Sequence, residues 1–380
     1  MTPTATGQRA KGRITLVVLA LLSVMVMTVS IILAFSLADR HEPGLLAETT
    51  PPAVSGGFAC DTTEAAKLYP FRSGVIKVGE SRVSFLDMSG SEKWGADCKL
   101  VSPSCYSDGA TMLIVDMNGS VFCVADEQGI IRQGTAAGTI TGAAIGTNGL
   151  FAIVLEQADN KGLVRIMSAG NGKEYEWDFV SKKSGFVLSV SFSPSGKWVD
   201  IATLDTDRHA ARSLLKRLET STGVQLAQFM PENTGVFAVV AHDEAGDTVL
   251  VSADTAVGFH TDATVAYTQT FSRILRSIST PRGVMIIAVR EPGGGAAVYL
   301  LPSSGILSEG VPLTGEPSAV TVSGDRALIA VGSTVSVLDL SPFSSIQTLN
   351  AGAEILRLAI VSPSTTTVVT REGVGRLSIS

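Results

Sequence analysis

The sequence has little charge and few aromatic residues. Charged residues make up 17% of the chain and aromatic residues 6%, while hydrophobic residues make up 45%. Disordered chains and coiled coils need far more charge, so neither class fits. The 29 Lys and Arg residues, three of them before residue 38, stand against 35 Asp and Glu residues, none of them before residue 38. Nucleic acid is therefore not a predicted partner, because binding it requires clustered basic side chains.

Histidine and the usual catalytic motifs are also scarce. None of the four histidines has a His or Cys neighbour at metal-ligand spacing; they are His41, His209, His242 and His260. The sequence contains no Gly-x-Ser-x-Gly elbow, no phosphate-binding Gly-x4-Gly-Lys-Ser/Thr loop and no calcium loop of proper spacing. No catalytic residue, metal site or cofactor is therefore predicted.

One long hydrophobic run stands out against this background. Residues 14–37 carry no charge, and a helix of that length, at ~1.5 Å per residue, can cross a ~30 Å hydrocarbon core. Arg9, Lys11 and Arg13 precede the run, so the positive-inside rule keeps the N-terminus in the cytoplasm. A cleaved signal peptide, the alternative, has a shorter apolar region of ~7–15 residues.

This run predicts a single-pass protein of the cell membrane with four segments. They are a short cytoplasmic tail (1–13), a transmembrane signal-anchor helix (14–37), a flexible stalk (38–57) and an extracytoplasmic domain (58–380). The stalk is predicted from its mixture of Pro, Gly, Thr and acidic residues, which shows little periodicity.

The extracytoplasmic domain is built from repeats. Residues 75–90 and 328–341 share the order apolar strand, Val-Gly, polar turn, alternating strand and Leu-Asp turn. Equivalent turns recur about every forty residues, the length of a four-stranded propeller blade. Eight third strands are recognisable, near 82–86, 120–125, 163–167, 214–218, 256–260, 297–301, 334–338 and 375–379.

These repeats predict an all-β fold, a β-propeller of eight blades, with seven blades as the alternative. The first repeat lacks a clear first strand, and the last repeat stops before its fourth. Residues 54–71 are therefore predicted to lend strands to the closing blade, which would remove exposed sheet edges.

Several motifs carry a resemblance to known propellers. SFLDMSGSEKW (84–94) and GKEYEW (172–177) resemble repeats of pyrroloquinoline-quinone-type propellers, while FSPSGKWVDIA (192–202) is similar to WD-like repeats. Their order after the hydrophobic run resembles a bacterial family of single-pass, membrane-anchored, WD-like and PQQ-like β-propeller proteins of unknown function. The resemblance implies that Trp94 and Trp177 dock between blades, and it implies no cofactor. Carbohydrate stacking by these rings is the alternative.

All four cysteines lie after the predicted membrane helix. All of them lie on the predicted extracytoplasmic side, where disulfides can persist. Cys105 and Cys123 fall on a first and a third strand, ~9–10 Å apart and too far for a bond. A disulfide between Cys60 and Cys98 is therefore favoured, and four buried free thiols are the alternative.

Two functions are compatible with these features. The first is a non-catalytic platform that binds an unidentified extracytoplasmic protein or envelope polymer. The second is an extracytoplasmic hydrolase or lyase that uses acidic residues at a propeller face, and its candidates are Asp205, Asp207, Asp243 and Glu244. A sensor that signals through the helix is less favoured, because residues 1–13 leave little to signal with.

Overall fold

The computed structural model describes residues 54–157, 160–170, 176–180, 185–206, 211–232, 235–290 and 294–379. Within these ranges the chain forms β-strands, one short helix, α1 (Thr62–Ala65), and one 3-10 turn (Thr147–Gly149). No helix in this part of the chain is long and apolar enough to cross a membrane. The predicted tail, membrane helix and most of the predicted stalk lie outside the described residues.

The strands form eight four-stranded antiparallel sheets, the blades of a propeller. The first four blades are blade 1, β2 (Leu68–Phe71), β3 (Gly74–Val78), β4 (Arg82–Leu86) and β5 (Glu92–Asp97); blade 2, β6 (Pro103–Ser107), β7 (Met112–Asp116), β8 (Val121–Ala125) and β9 (Ile130–Thr135); blade 3, β10 (Thr139–Ile145), β11 (Leu150–Gln157), β12 (Asn160–Ser168) and β13 (Glu176–Val180); and blade 4, β14 (Phe186–Phe192), β15 (Trp198–Asp205), β16 (Arg212–Glu219) and β17 (Gln225–Phe229).

The remaining four blades follow in chain order and close the ring. They are blade 5, β18 (Val239–His242), β19 (Thr248–Val251), β20 (Thr255–Phe259) and β21 (Val265–Thr270); blade 6, β22 (Ile274–Thr280), β23 (Gly283–Val289), β24 (Ala296–Leu301) and β25 (Val311–Leu313); blade 7, β26 (Ala319–Ser323), β27 (Arg326–Val331), β28 (Thr334–Leu340) and β29 (Phe343–Asn350); and blade 8, β30 (Ile355–Ser362), β31 (Thr365–Thr370) and β32 (Gly373–Ser378), completed by β1 (Val54–Ala59).

The prediction of an eight-bladed propeller is confirmed, and the eight third strands lie where the repeat predicts them. The closing blade needs one correction. β1 pairs with β32 and supplies its fourth strand, but β2 is the first strand of blade 1 and not part of the closure. Pro70 hides β2 in the sequence, since proline disfavours a strand. It is tolerated because a first strand has one free edge, where no N–H is needed.

The hydrophobic core lies between the blades. The buried apolar side chains form eight clusters, and each cluster joins two neighbouring blades of the ring. Leu328 of blade 7 and Leu358 of blade 8, for example, share one cluster. Each blade therefore buries both of its faces, which explains why its strands read as nearly continuous apolar runs.

Strand direction defines two ends of the ring. The connections between blades and the turns between second and third strands lie at one end, which we call the connection face. The turns between first and second strands, and between third and fourth strands, lie at the other end, the hairpin face. Val54 begins β1, a fourth strand, so the described chain starts at the hairpin face.

Candidate functional site

A cavity of about 780 Å³ lies at the axis of the ring. It is lined by the first strands of blades 1, 2, 6, 7 and 8, with Tyr69, Cys105, Thr321 and two arginines, Arg276 and Arg357, among its residues. We call it the central channel. Its volume lies in the range of roughly 300–1,000 Å³ that is typical of small-molecule sites.

Both arginines of the central channel occupy the same position in their blades. Each follows Ile-Leu at the start of a first strand, in the sequences 274–276 and 355–357. In both strands the pairing register shifts at the leucine, between Ile274 and Arg276 and between Ile355 and Arg357. A β-bulge at this point changes the direction of the next side chain, which accounts for two arginines lining the same channel.

Each guanidinium contacts the blade that follows it in the ring. Arg276 Nη2 donates to the Pro317 carbonyl at 3.4 Å, and Arg357 Nη1 donates to the Leu68 carbonyl at 3.3 Å. The Arg357 guanidinium also lies 4.0 Å from the centroid of the Tyr69 ring. Both acceptors precede or begin a first strand, so the two guanidinium groups lie toward the connection face.

Neutral groups complete the wall near Arg357. Tyr69 and Cys105 both line the cavity here. Burial raises the pKa of Tyr69 above its usual value and raises that of Cys105 to about 12, so neither group ionises at neutral pH. The arginines are therefore not neutralised by this part of the wall.

A second feature, at the connection face, is apolar. Exposed hydrophobic side chains occur where blades 3, 4 and 5 end or begin; they are Val180, Phe186, Met230, Val236 and Val239. Met230 is 50% exposed and Val236 47% exposed, although both adjoin buried residues of the core. We call these five residues the connection-face patch. A contiguous exposed apolar surface is typical of an interaction site.

A buried polar network joins blades 4 and 5. Asp200 accepts two hydrogen bonds of 2.9 Å from Arg217, one of 2.7 Å from Thr248, and contacts His242 Nε2 at 3.1 Å. Arg217 also contacts the Thr248 hydroxyl. Burial by itself would raise the pKa of Asp200, but the hydrogen bonds from His242 and Arg217 outweigh it and hold that pKa below its usual range.

This network superficially resembles a catalytic triad, because Ser191 Oγ lies 3.4 Å from His242 Nδ1. Asp200 is fully buried and His242 is 1% exposed. The carboxylate is already paired with Arg217, so it does not serve the imidazole alone. The arrangement fits a structural clamp between two blades better than a nucleophile with its base.

The candidate carboxylates are divided between the two ends of the ring. Asp205 ends β15, at the connection face, whereas Asp243 and Glu244 follow β18, at the hairpin face. Asp207 lies outside the described residues. A shared acid–base site for Asp205 with Asp243 or Glu244 is therefore not formed.

Asp243 and Glu244 have structural partners. The Asp243 carboxylate accepts the backbone N–H groups of Ala245 and Asp247, at 3.0 and 2.9 Å, and so closes its turn. Its burial raises its pKa. Glu244 accepts the backbone N–H and the hydroxyl of Ser303 in blade 6, at 2.9 and 2.7 Å. Both carboxylates thus hold turns in place.

Of the two tryptophans from the propeller motifs, Trp94 has a described side chain and Trp177 does not. Trp94, on the fourth strand of blade 1, stacks on Phe85 with ring centroids 6.5 Å apart. Its Nε1 donates to the Glu127 carbonyl in blade 2 at 2.9 Å, so its side chain bridges two blades. The side chain of Trp177 lies outside the described residues.

All four cysteines are free thiols. Cys60 packs in the cluster between blades 8 and 1, whereas Cys98 is buried between blades 1 and 2, so a Cys60–Cys98 bond is not formed. Cys98 packs in the same buried cluster as Cys123 instead. Cys105 and Cys123 both pair with Ile114, from opposite sides, which explains why those two are separated by a whole strand.

No group of three His, Cys, Asp or Glu side chains suited to a metal ion is found in the described ranges. The features that sequence reasoning missed are the buried clamp and the arginines of the central channel. The repeated Ile-Leu-Arg at 274–276 and 355–357 was the signal that could have revealed the arginines.

Comparison with known proteins extends the description of the fold. Residues 52–228 match DUF5711, a family of unknown function. No curated protein matches the sequence. The predicted resemblance to a family of unknown function is confirmed in part by this match.

Two solved structures illustrate the similarity. BamB from Moraxella catarrhalis has a TM-score of 0.51 and 13% identity, and the match covers 85% of this chain and 98% of that one. Sqt1 from Saccharomyces cerevisiae has a TM-score of 0.61 and 11% identity, and the match covers 86% of this chain and all of the other, 100%. At such low identity the likeness concerns the fold alone.

Proposed function

We propose that this protein is a membrane-anchored, extracytoplasmic β-propeller that serves as a non-catalytic platform for a protein partner, which it binds through the connection-face patch. The observation that carries the proposal is the exposure of Met230 and Val236 beside a well-packed core. An exposed apolar group costs free energy in water, and a partner surface that covers it regains that energy.

The chemistry of the patch favours a protein over an envelope polymer. Four of its five side chains are aliphatic. A polysaccharide is usually held by aromatic stacking and by many hydrogen bonds, whereas aliphatic groups complement the side chains of another protein. The hydrolase or lyase alternative is disfavoured because Asp205 lies at the opposite end of the ring from Asp243 and Glu244.

The partner is tested by crosslinking in cells that produce the full chain, followed by detergent extraction and mass spectrometry. We compare wild type with the double variant Met230→Gln, Val236→Gln. The matched control is Val224→Gln, Ile306→Gln, which alters exposed aliphatic residues of 58% and 75% exposure at the hairpin face.

A protein that is captured by wild type and by the control, but lost from the patch variant, is the expected result. Equal capture by all three chains contradicts a role for the patch. Recovery of glycan in place of protein favours the envelope polymer instead.

The predicted location needs a test of its own. A C-terminal alkaline phosphatase fusion is active only outside the cytoplasm, and we expect activity in the membrane fraction. Activity released as a soluble fusion would indicate a cleaved signal peptide, and an inactive fusion would contradict the proposed orientation.

A further inference from the structure

We propose that the central channel binds a small organic anion through carboxylate or phosphate groups that pair with Arg276 and Arg357. This inference goes beyond the proposed function, because the channel and the connection-face patch are formed by different blades. It rests on the two bulged strands, on the hydrogen bonds of the two guanidinium groups and on the charges that face the cavity.

A register shift in the first strand occurs in other blades as well, but only blades 6 and 8 have an arginine after it in the described residues. The first strands of blades 3 and 4 have register shifts at corresponding places, before Gly142 and Ser189. Those blades therefore have the same backbone irregularity without a cation. The arginines occur in blades 6 and 8, on either side of blade 7, and both line the cavity.

Each guanidinium has donors to spare. A guanidinium has five N–H groups; Arg276 and Arg357 each donate one hydrogen bond to a backbone carbonyl, and the Arg357 guanidinium also lies against the Tyr69 side chain. Neither has a carboxylate partner in the described part of the chain. Other arginines of the propeller do pair with carboxylates, as Arg282 does with Asp325 and Arg371 with Glu354.

The remaining charged groups of the cavity do not offset these two cations. Asp108 lies in the turn after the first strand of blade 2, at the hairpin face, where it accepts hydrogen bonds from the backbone of Ala110 and Thr111. Arg72, at the hairpin end, lies 3.8 Å from Glu127 of the neighbouring blade. The part of the channel near Arg276 and Arg357 is therefore positive, and its low-dielectric walls strengthen the attraction for an anion.

The donor geometry indicates the ligand class. The planar fork of a guanidinium matches the two oxygens of a carboxylate or phosphate, which it can bind through two parallel hydrogen bonds. A cavity of about 780 Å³ is far larger than an inorganic ion, so a small organic molecule that carries such a group fits better. Apolar wall residues such as Leu356 and Ile360 would contact the rest of the ligand.

The test measures binding to the full chain in detergent, by calorimetry and by the shift of the thermal midpoint. The probes are citrate, glycerol phosphate and inorganic phosphate, each at up to about 10 mM. The variants are Arg276→Gln, Arg357→Gln and the double variant. The control is Arg371→Gln, which removes the same charge from blade 8 outside the channel lining.

We expect at least one organic probe to bind wild type and the control equally, with affinity reduced about tenfold in each single variant and lost in the double variant. Arg357→Lys should retain part of the affinity, because it keeps the charge and loses the fork. Stronger binding of citrate would assign a carboxylate ligand, and stronger binding of glycerol phosphate would assign a phosphate ligand.

Three results would overturn the proposal. They are no binding of any probe to wild type, binding that the double variant retains, and equal loss of binding in the Arg371→Gln control. Circular dichroism of every variant shows whether the propeller is folded, so a loss caused by unfolding is recognised.

Discussion

Two interfaces between blades use opposite chemistry. Blades 6 and 7 meet through buried aliphatic side chains such as Ile287 and Ile329, and the Arg282–Asp325 ion pair between these blades lies at the surface. Blades 4 and 5 have an apolar cluster as well, but they also bury the pair formed by Asp200 and Arg217. The same repeat thus buries one ion pair at the interface of blades 4 and 5 and leaves another exposed to water at the interface of blades 6 and 7.

The contribution of an ion pair to stability depends on how deeply the pair is buried at the blade interface. A surface pair contributes roughly 0–1 kcal/mol, because water and salt screen it. A buried pair adds little net stability when intact, but loss of one partner leaves an uncompensated charge. The clamp is therefore costly to break, although it adds little net stability while it is intact.

The largest expected effect comes from breaking the clamp. Asp200→Ala leaves the Arg217 guanidinium buried without its carboxylate, and we expect a loss of about 3–5 kcal/mol in the free energy of unfolding. Denaturant unfolding of the variant measures the loss. The double variant Asp200→Ala, Arg217→Met should recover part of it, and a double variant that is less stable than Asp200→Ala would contradict this account.

A smaller effect is expected from the apolar interface. Ile329→Ala removes a fully buried side chain between blades 6 and 7 and should cost about 3 kcal/mol. The same unfolding experiment measures it. Asp325→Ala, at the surface of that interface, should cost less than about 1 kcal/mol and serves as the control.

A single hydrogen bond between blades should contribute less still. Trp94→Phe keeps an aromatic ring against Phe85 and removes the donor to the Glu127 carbonyl, so a loss of about 1 kcal/mol is expected. A shift of the thermal midpoint measures it. A change as large as that of Ile329→Ala would mean that packing of the indole, and not its N–H, dominates.

Acid should selectively weaken the interface of blades 4 and 5, which contains Asp200. The pKa of Asp200 is lower in the folded chain than its unfolded value of about 3.9, so its contribution is fully present above that pH. The contribution is lost as the pH falls through the lower, folded pKa. In acid titrations the stability difference between wild type and Asp200→Asn should therefore shrink below about pH 4, and a constant difference would contradict the assignment.

Much of the architecture could be predicted from local patterns. The forty-residue repeat and the eight third strands depend on alternation within a few residues, which a sequence displays directly. Where a local rule pointed the wrong way, the prediction failed: Pro70 concealed β2, because a proline within a strand is unusual unless an edge of the strand is free.

The candidate site was much less predictable. Asp205 and Asp243 look equivalent in the sequence, because each is an acidic residue at the end of a strand. Asp205 ends a second strand and Asp243 follows a first strand, so the two lie at opposite ends of the ring. Cys98 packs in one buried cluster with Cys123, a proximity that strand order alone did not suggest.

Local sequence patterns predicted the repeat of about forty residues, the eight third strands and the long hydrophobic run before them. The tertiary structure alone decided which side chains meet: Asp200 with His242, Arg357 with Tyr69 and Trp94 with blade 2. The physical reason is that strand formation depends on neighbouring residues, whereas these contacts form only when the ring closes and brings one blade against the next.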